Sequence, residues 1–124
     1  MLDHVTIGVT DLARSRGFYD AALAPLGIAY MCGEGDTFAG YGDGERAFFW
    51  FGLRDAPQTG IHIAFAAADR ATVDRFHAAA LAAGRTDHGA PGLRPHYHAD
   101  YYGAFVLDPD GHNIEAVCHL PPAG

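Results

Sequence analysis

His4-Val5-Thr6-Ile7-Gly8-Val9-Thr10-Asp11 and His62-Ile63-Ala64-Phe65-Ala66-Ala67-Ala68-Asp69 read alike: a His, alternating apolar residues, then an Asp seven positions after the His. The two stretches lie 58 residues apart. At the same offset Ala13 answers to Ala71, Phe18 to Phe76, and Ala21-Ala22-Leu23 to Ala79-Ala80-Leu81. Asp43-Gly44 then answers to Asp110-Gly111 at an offset of 67, so the second half carries nine extra residues before its last hairpin. Self-similarity at fixed spacing marks a repeated structural unit. The reading is one domain over 1–124, made of a first module over about 1–58 and a second over about 59–124.

Each module reads the same way. Residues 2–9 alternate and are β-branched, which predicts a strand. Asp11 is placed to cap a helix over 12–24, stopped by Pro25 and Gly27. Strands follow at 28–32, 36–41 and 46–53, with Gly42-Asp43-Gly44 as a tight turn. The second module repeats this as a strand at 61–67, a helix at 70–83 capped by Asp69, a short strand near 85–88, and strands at 101–107 and 112–118. Asp108-Pro109-Asp110-Gly111 forms the last turn. The predicted fold is α+β: two βαβββ modules forming one curved mixed sheet, a cup with the helices on its outer face.

Charge narrows the function. Fifteen acidic residues face eight basic ones, all Arg, for a net charge of -7. That balance speaks against nucleic acid and against an anionic membrane surface as partners. No apolar run reaches the ~20 residues a membrane-spanning helix needs. Met1-Leu2-Asp3-His4 holds no basic segment or apolar signal core, so a cytoplasmic location is expected. Cys32 and Cys118 fit no zinc or disulfide spacing and read as small buried apolar residues. His77 and His112 read as surface residues.

Strand side chains alternate between faces. Val5, Ile7 and Val9 share one face of the first strand, and Ile63 and Phe65 the corresponding face of its repeat. His4 and His62 fall on the other face, as does Glu115 in the closing strand. If the modules pair into one sheet, these three converge on its uncovered side. Two His and one carboxylate can hold a divalent ion with coordination positions left open for substrate oxygens. The competing reading makes them two strand-start histidines and a solvated carboxylate.

The paired βαβββ pattern, Asp3-His4-Val5, His62-Ile63-Ala64-Phe65 and Asp108-Pro109-Asp110-Gly111-His112-Asn113-Ile114-Glu115 together resemble the vicinal oxygen chelate superfamily. That group includes glyoxalase I, fosfomycin-resistance thiol transferases, extradiol dioxygenases, methylmalonyl-CoA epimerases and bleomycin-resistance proteins. The resemblance implies a sheet cup built within one chain or across a dimer, with a metal inside held by His4, His62 and Glu115. A fourth ligand position falls on Phe48, which cannot coordinate, and none of 47–51 is a carboxylate. Three protein ligands remain, which speaks against lactoylglutathione lyase activity. The metal is left open among Fe, Mn, Ni, Co and Zn. The function implied is a metal-dependent lyase or isomerase, thiol transferase or dioxygenase acting on a small substrate with adjacent oxygens. The alternative is a cup that sequesters a drug or metabolite, as bleomycin-resistance proteins do. Exposed sheet edges together with the resemblance predict a homodimer, with exchange of modules between chains possible.

The extra residues fall within 86–100 and read as an irregular segment, the kind that often serves as a lid. His98 and Tyr101 are candidate acid/base or hydrogen-bonding groups. Arg94, His96 and Tyr102 are candidate substrate contacts, with Phe48 and Trp50 as aromatic walls. The competing reading has these aromatics packing the loop onto the rim.

Overall fold

In a computed structural model describing residues 1–54, 56 and 58–122, the repeat is plain. Module one runs β1 (Val5–Val9), α1 (Leu12–Leu23), a 3-10 turn (Ala24–Leu26), β2 (Ala29–Glu34), β3 (Phe38–Gly42) and β4 (Ala47–Leu53). Module two runs β5 (His62–Ala66), α2 (Arg70–Ala82), β6 (Thr86–Leu93), β7 (Tyr102–Leu107) and β8 (Asn113–Cys118). Each module folds into a four-stranded mixed sheet, ordered β1-β4-β3-β2 and β5-β8-β7-β6. The first strand of each lies parallel to the last, and the other pairs are antiparallel. The architecture is therefore α+β with two modules, as the repeat predicts. The sheets remain two open sheets rather than one continuous ladder. No helix among the described residues is long and apolar enough to cross a membrane.

Both helices start where the spacing places them. Asp11 Oδ1 accepts from the Arg14 amide at 3.0 Å, and Asp69 Oδ1 from the Thr72 amide at 2.8 Å. Each cap satisfies a first-turn amide that has no intrahelical partner. Each helix covers one face of its sheet. Tyr19 of α1 sits 5.0 Å from both Phe49 and Phe51 of β4, and Phe49 meets Phe65 of β5 edge-on at 5.2 Å. The core is thus shared by the modules rather than divided between them.

The seam between modules is polar and specific. His112, fully buried, accepts from the Ile61 amide through Nδ1 at 3.2 Å. Its Nε2 therefore carries the proton and donates to the Gly8 carbonyl at 3.1 Å. Asp108 Oδ2 accepts from Tyr19 at 2.6 Å, and Asp110 Oδ1 from the Thr10 hydroxyl at 2.6 Å. The turn that reads as a hairpin signal also clamps module two onto module one, and His112 is not a surface residue. His77 is also mostly buried, its Nε2 2.9 Å from Asp87 Oδ1. Of the two free cysteines Cys118 is buried, as expected, but Cys32 is exposed because β2 is an edge strand.

The inserted segment is less irregular than expected. β6 extends through Leu93, with register shifts at Asp87/Gly89 and Gly89/Gly92 that absorb the surplus residues. As the sheet edge, β6 tolerates Pro91, whose missing N–H costs nothing there. Only residues 94–101 form a loop.

Candidate functional site

The uncovered face of module two holds a polar cluster built on His62, Glu115 and Tyr101. β5 and β8 lie parallel with Ala64 opposite Glu115 and His62 opposite Asn113. Alternation then puts the His62 and Glu115 side chains on one face, where His62 Nε2 meets Glu115 Oε1 at 3.1 Å. Glu115 is only 1% exposed, while His62 is half-exposed. The His62 ring is oriented by its other nitrogen, 3.2 Å from the Asn113 carbonyl. Both ring nitrogens thus face acceptors, and when Nδ1 carries the proton it donates to the carbonyl. Nε2 then turns a lone pair toward a carboxylate unless a proton or a cation lies between them. The pair thus brings one imidazole nitrogen and one buried carboxylate oxygen to the same point of the uncovered face.

The second carboxylate oxygen is also engaged: the Tyr101 hydroxyl donates to Glu115 Oε2. Burial, followed by this bond and the Glu115 charge, holds the Tyr101 proton on far above the ordinary phenol range, against a smaller opposing effect of Arg94. Gly103 leaves room beside it: a Cβ there would come 3.0 Å from Glu115 Oε2 and press on the carboxylate. Phe105, directly opposite Glu115 across the β7–β8 ladder, stacks on His62 at 6.0 Å and 26°. The loop closes over this end of β8: Tyr97 packs 5.0 Å from Tyr101, His119 5.1 Å from Tyr101, and His98 5.5 Å from His119. His98 Nδ1 accepts from the Asp100 amide at 3.1 Å, which leaves the proton of a neutral ring on Nε2.

The remaining residues singled out in the sequence lie apart from this cluster. His96 packs against Tyr97 at the exposed rim, the two rings tilted by 50°. Tyr102 turns to the helix side, donating to Asp74 at 2.6 Å with Arg70 over its ring. Trp50 lies on module one over Gly40, beside Phe38. Phe48 and His4 line a separate cleft of about 420 Å³ between the β1 and β5 regions, with Val5, Arg46, Ile63 and Phe65. His4 itself bonds Asp3 at 2.8 Å. That bond, then the Arg46 charge, holds the Asp3 carboxyl below its ordinary range.

Within one chain, then, His62 and Glu115 come together and His4 does not join them. Among the described residues no third His, Cys, Asp or Glu completes a metal-binding group. The seam explains why. The β1 residue tied beside Ile61 and His62 is Gly8, through His112. His4 lies four residues back along extended chain, on the order of 13 Å away at about 3.3 Å per residue. Phe105 escaped the sequence reading as a site residue, though stepping back from the Asp108–Gly111 turn would have found it; alternation from Glu115 already puts His119 on the same face.

Comparison with known proteins agrees with this architecture. Residues 1–116 match the Glyoxalase/Bleomycin resistance protein/Dioxygenase superfamily. Among solved structures, a glyoxalase/bleomycin resistance protein from Albidiferax ferrireducens T118 is 35% identical, with a TM-score of 0.81 over 98% of this chain and 99% of that one. A glyoxalase-related enzyme from Fulvimarina pelagi shares the fold at 21% identity and a TM-score of 0.75, covering 95% of this chain and 87% of that one. A glyoxalase/bleomycin resistance protein/dioxygenase family enzyme from Burkholderia phytofirmans PsJN does so at 21% and 0.74, covering 95% and 98%. Comparison with curated proteins gave no match. With its two βαβββ modules and a family match over nearly its full length, the chain belongs to the Glyoxalase/Bleomycin resistance protein/Dioxygenase superfamily.

Proposed function

We propose that this protein is a divalent-metal-dependent enzyme of the glyoxalase-like type, acting on a small substrate that presents two adjacent oxygens. The observation that carries this reading is the buried Glu115 carboxylate facing an oriented His62 nitrogen at 3.1 Å. A buried carboxylate is costly unless its charge is met. His62, Tyr101 and a cation together would meet it. His4 of a second copy supplies the remaining ligand in this reading, with the two open sheets apposed in a homodimer. Such pairing also covers sheet edges left bare in a single chain.

When bound, the ion supplies Lewis acidity toward the two substrate oxygens and stabilises negative charge developing there. The protein's own groups do the rest. The Asn113 carbonyl fixes the His62 ring, and the Tyr101 hydroxyl holds Glu115 in place. The 94–101 loop shields this end of the site from water. His98, whose tautomer puts a proton on Nε2, is the group placed at the rim to exchange a proton with substrate. Phe48 and Trp50 stand on the module-one face and would form the opposite wall in the dimer. A second reading, capture of a drug or metabolite without turnover, draws on the apolar cleft beside His4 and Phe48.

Metal analysis of protein purified without a tag, followed by calorimetric titration with Mn²⁺, Co²⁺, Ni²⁺ and Zn²⁺, separates the two. The enzyme reading expects about one ion per chain and its loss in Glu115→Gln. Protein that takes up no ion, or a Glu115→Gln variant that binds as well as the parent, would remove the metal site and leave the binding cup.

A further inference from the structure

Arg94 is held more firmly than its position at a loop edge requires. Its Nη2 donates to the Ala90 carbonyl at 2.9 Å, and its guanidinium lies over the Phe105 ring at 5.4 Å. Two glycines of β6 make the seat. A Cβ at Gly89 would come 3.3 Å from Nη2, and one at Gly92 would come 3.1 Å from Nη1. Phe105 is the residue that stacks on His62 and pairs across the ladder with Glu115. The seat therefore fixes one cation beside the candidate site, on the face that carries His62 and Glu115. Among the described residues no carboxylate forms an ion pair with Arg94, in a chain whose net charge is -7.

A guanidinium has five donors in a rigid fork, and carbonyls here occupy only part of it. A cation fixed without a counter-ion, on an aromatic platform, is arranged to receive an oxyanion. We infer that the substrate carries a single carboxylate, which Arg94 binds while the adjacent oxygens engage the His62–Glu115 end. This rests on the reading above that substrate docks at that face. One fixed cation suits one charged group and offers nothing further to a large polyanionic ligand.

The test compares two hydroxamates that share a chelating head: N-hydroxysuccinamate, which adds a carboxylate, and neutral acetohydroxamate. In metal-free protein the ¹⁵N resonance of Arg94 Nε should shift saturably with the first and stay still with the second. In Co²⁺-loaded protein, followed by its visible spectrum, the carboxylated probe should bind at least ~10-fold more tightly. Arg94→Gln should erase that preference while Co²⁺ affinity and Tm hold. Equal affinities, a preference that survives Arg94→Gln, or an Nε resonance indifferent to both probes would overturn the inference. If Co²⁺ fails to bind, the metal reading falls and the Nε titration alone decides the anion seat. It also decides if Arg94→Gln does not fold.

Discussion

Replacing His112 by Ala should destabilise the protein far more than its place in a surface-type turn suggests. The imidazole is fully buried and bridges two backbone groups of different modules, the Ile61 amide and the Gly8 carbonyl. Without it both groups are stranded in the seam. An unpaired buried polar group costs about 1–3 kcal/mol, so the pair costs roughly 2–6 kcal/mol before any cavity is counted. Against a typical total of about 5–15 kcal/mol, that is a large fraction. Urea unfolding followed by circular dichroism measures it, with His77→Ala as control, since His77 is tied to one half-exposed carboxylate. The control should lose little beyond its own packing loss, since solvent screens that pair. A His112→Ala loss below about 1 kcal/mol would refute the claim that this ring staples the modules.

Three more outcomes follow from the same geometry. Gly40→Ala puts a Cβ 2.6 Å from the Trp50 ring, so stability should fall by about 1–3 kcal/mol and the fluorescence of the sole Trp should shift; an unchanged spectrum and midpoint would show that the ring moves freely. Asp69 and Asp87 both have lowered pKa values, held by hydrogen bonds from Thr72 and His77 respectively. Their stabilisation is present above the unfolded-state value near 3.8 and is lost as pH falls through the lower folded values. Asp69→Asn should therefore flatten the acid limb of a pH–stability curve below about pH 4, and an identical limb would count against the cap's role. Tyr101→Phe leaves Glu115 Oε2 without its donor and should cost about 1.5–3 kcal/mol in thermal unfolding of metal-free protein; no change would mean the bond is incidental.

Much of this was legible from residue order because repeats carry topology. A His, an alternating strand and a capping Asp recurring at one offset were enough to predict both helix starts and the order of strands. Alternation also placed His62 and Glu115 on one face, since parallel neighbours with matched faces need only register to meet. What stayed hidden depended on how the modules sit against each other. Nothing local in Asp108-Pro109-Asp110-Gly111-His112 says that the ring turns inward to Gly8, and that contact is what carries His4 away from His62 within one chain. The insertion misled for a different reason: Gly89 and Pro91 are breakers in isolation, yet an edge strand with two bulges accommodates both.

The central claim is a metal site shared between two copies, and a mixed dimer tests it most directly. His4→Ala and Glu115→Gln chains, each purified alone, should bind no divalent ion tightly. Co-expressed and isolated as the heterodimer, they should bind one ion per dimer. His62 and Glu115 of the His4→Ala chain then meet the intact His4 of the other, while the second site keeps His62 but lacks both His4 and Glu115. If the heterodimer binds no more metal than either parent, or if the chains never associate, His4 does not complete the site across copies and the account is contradicted.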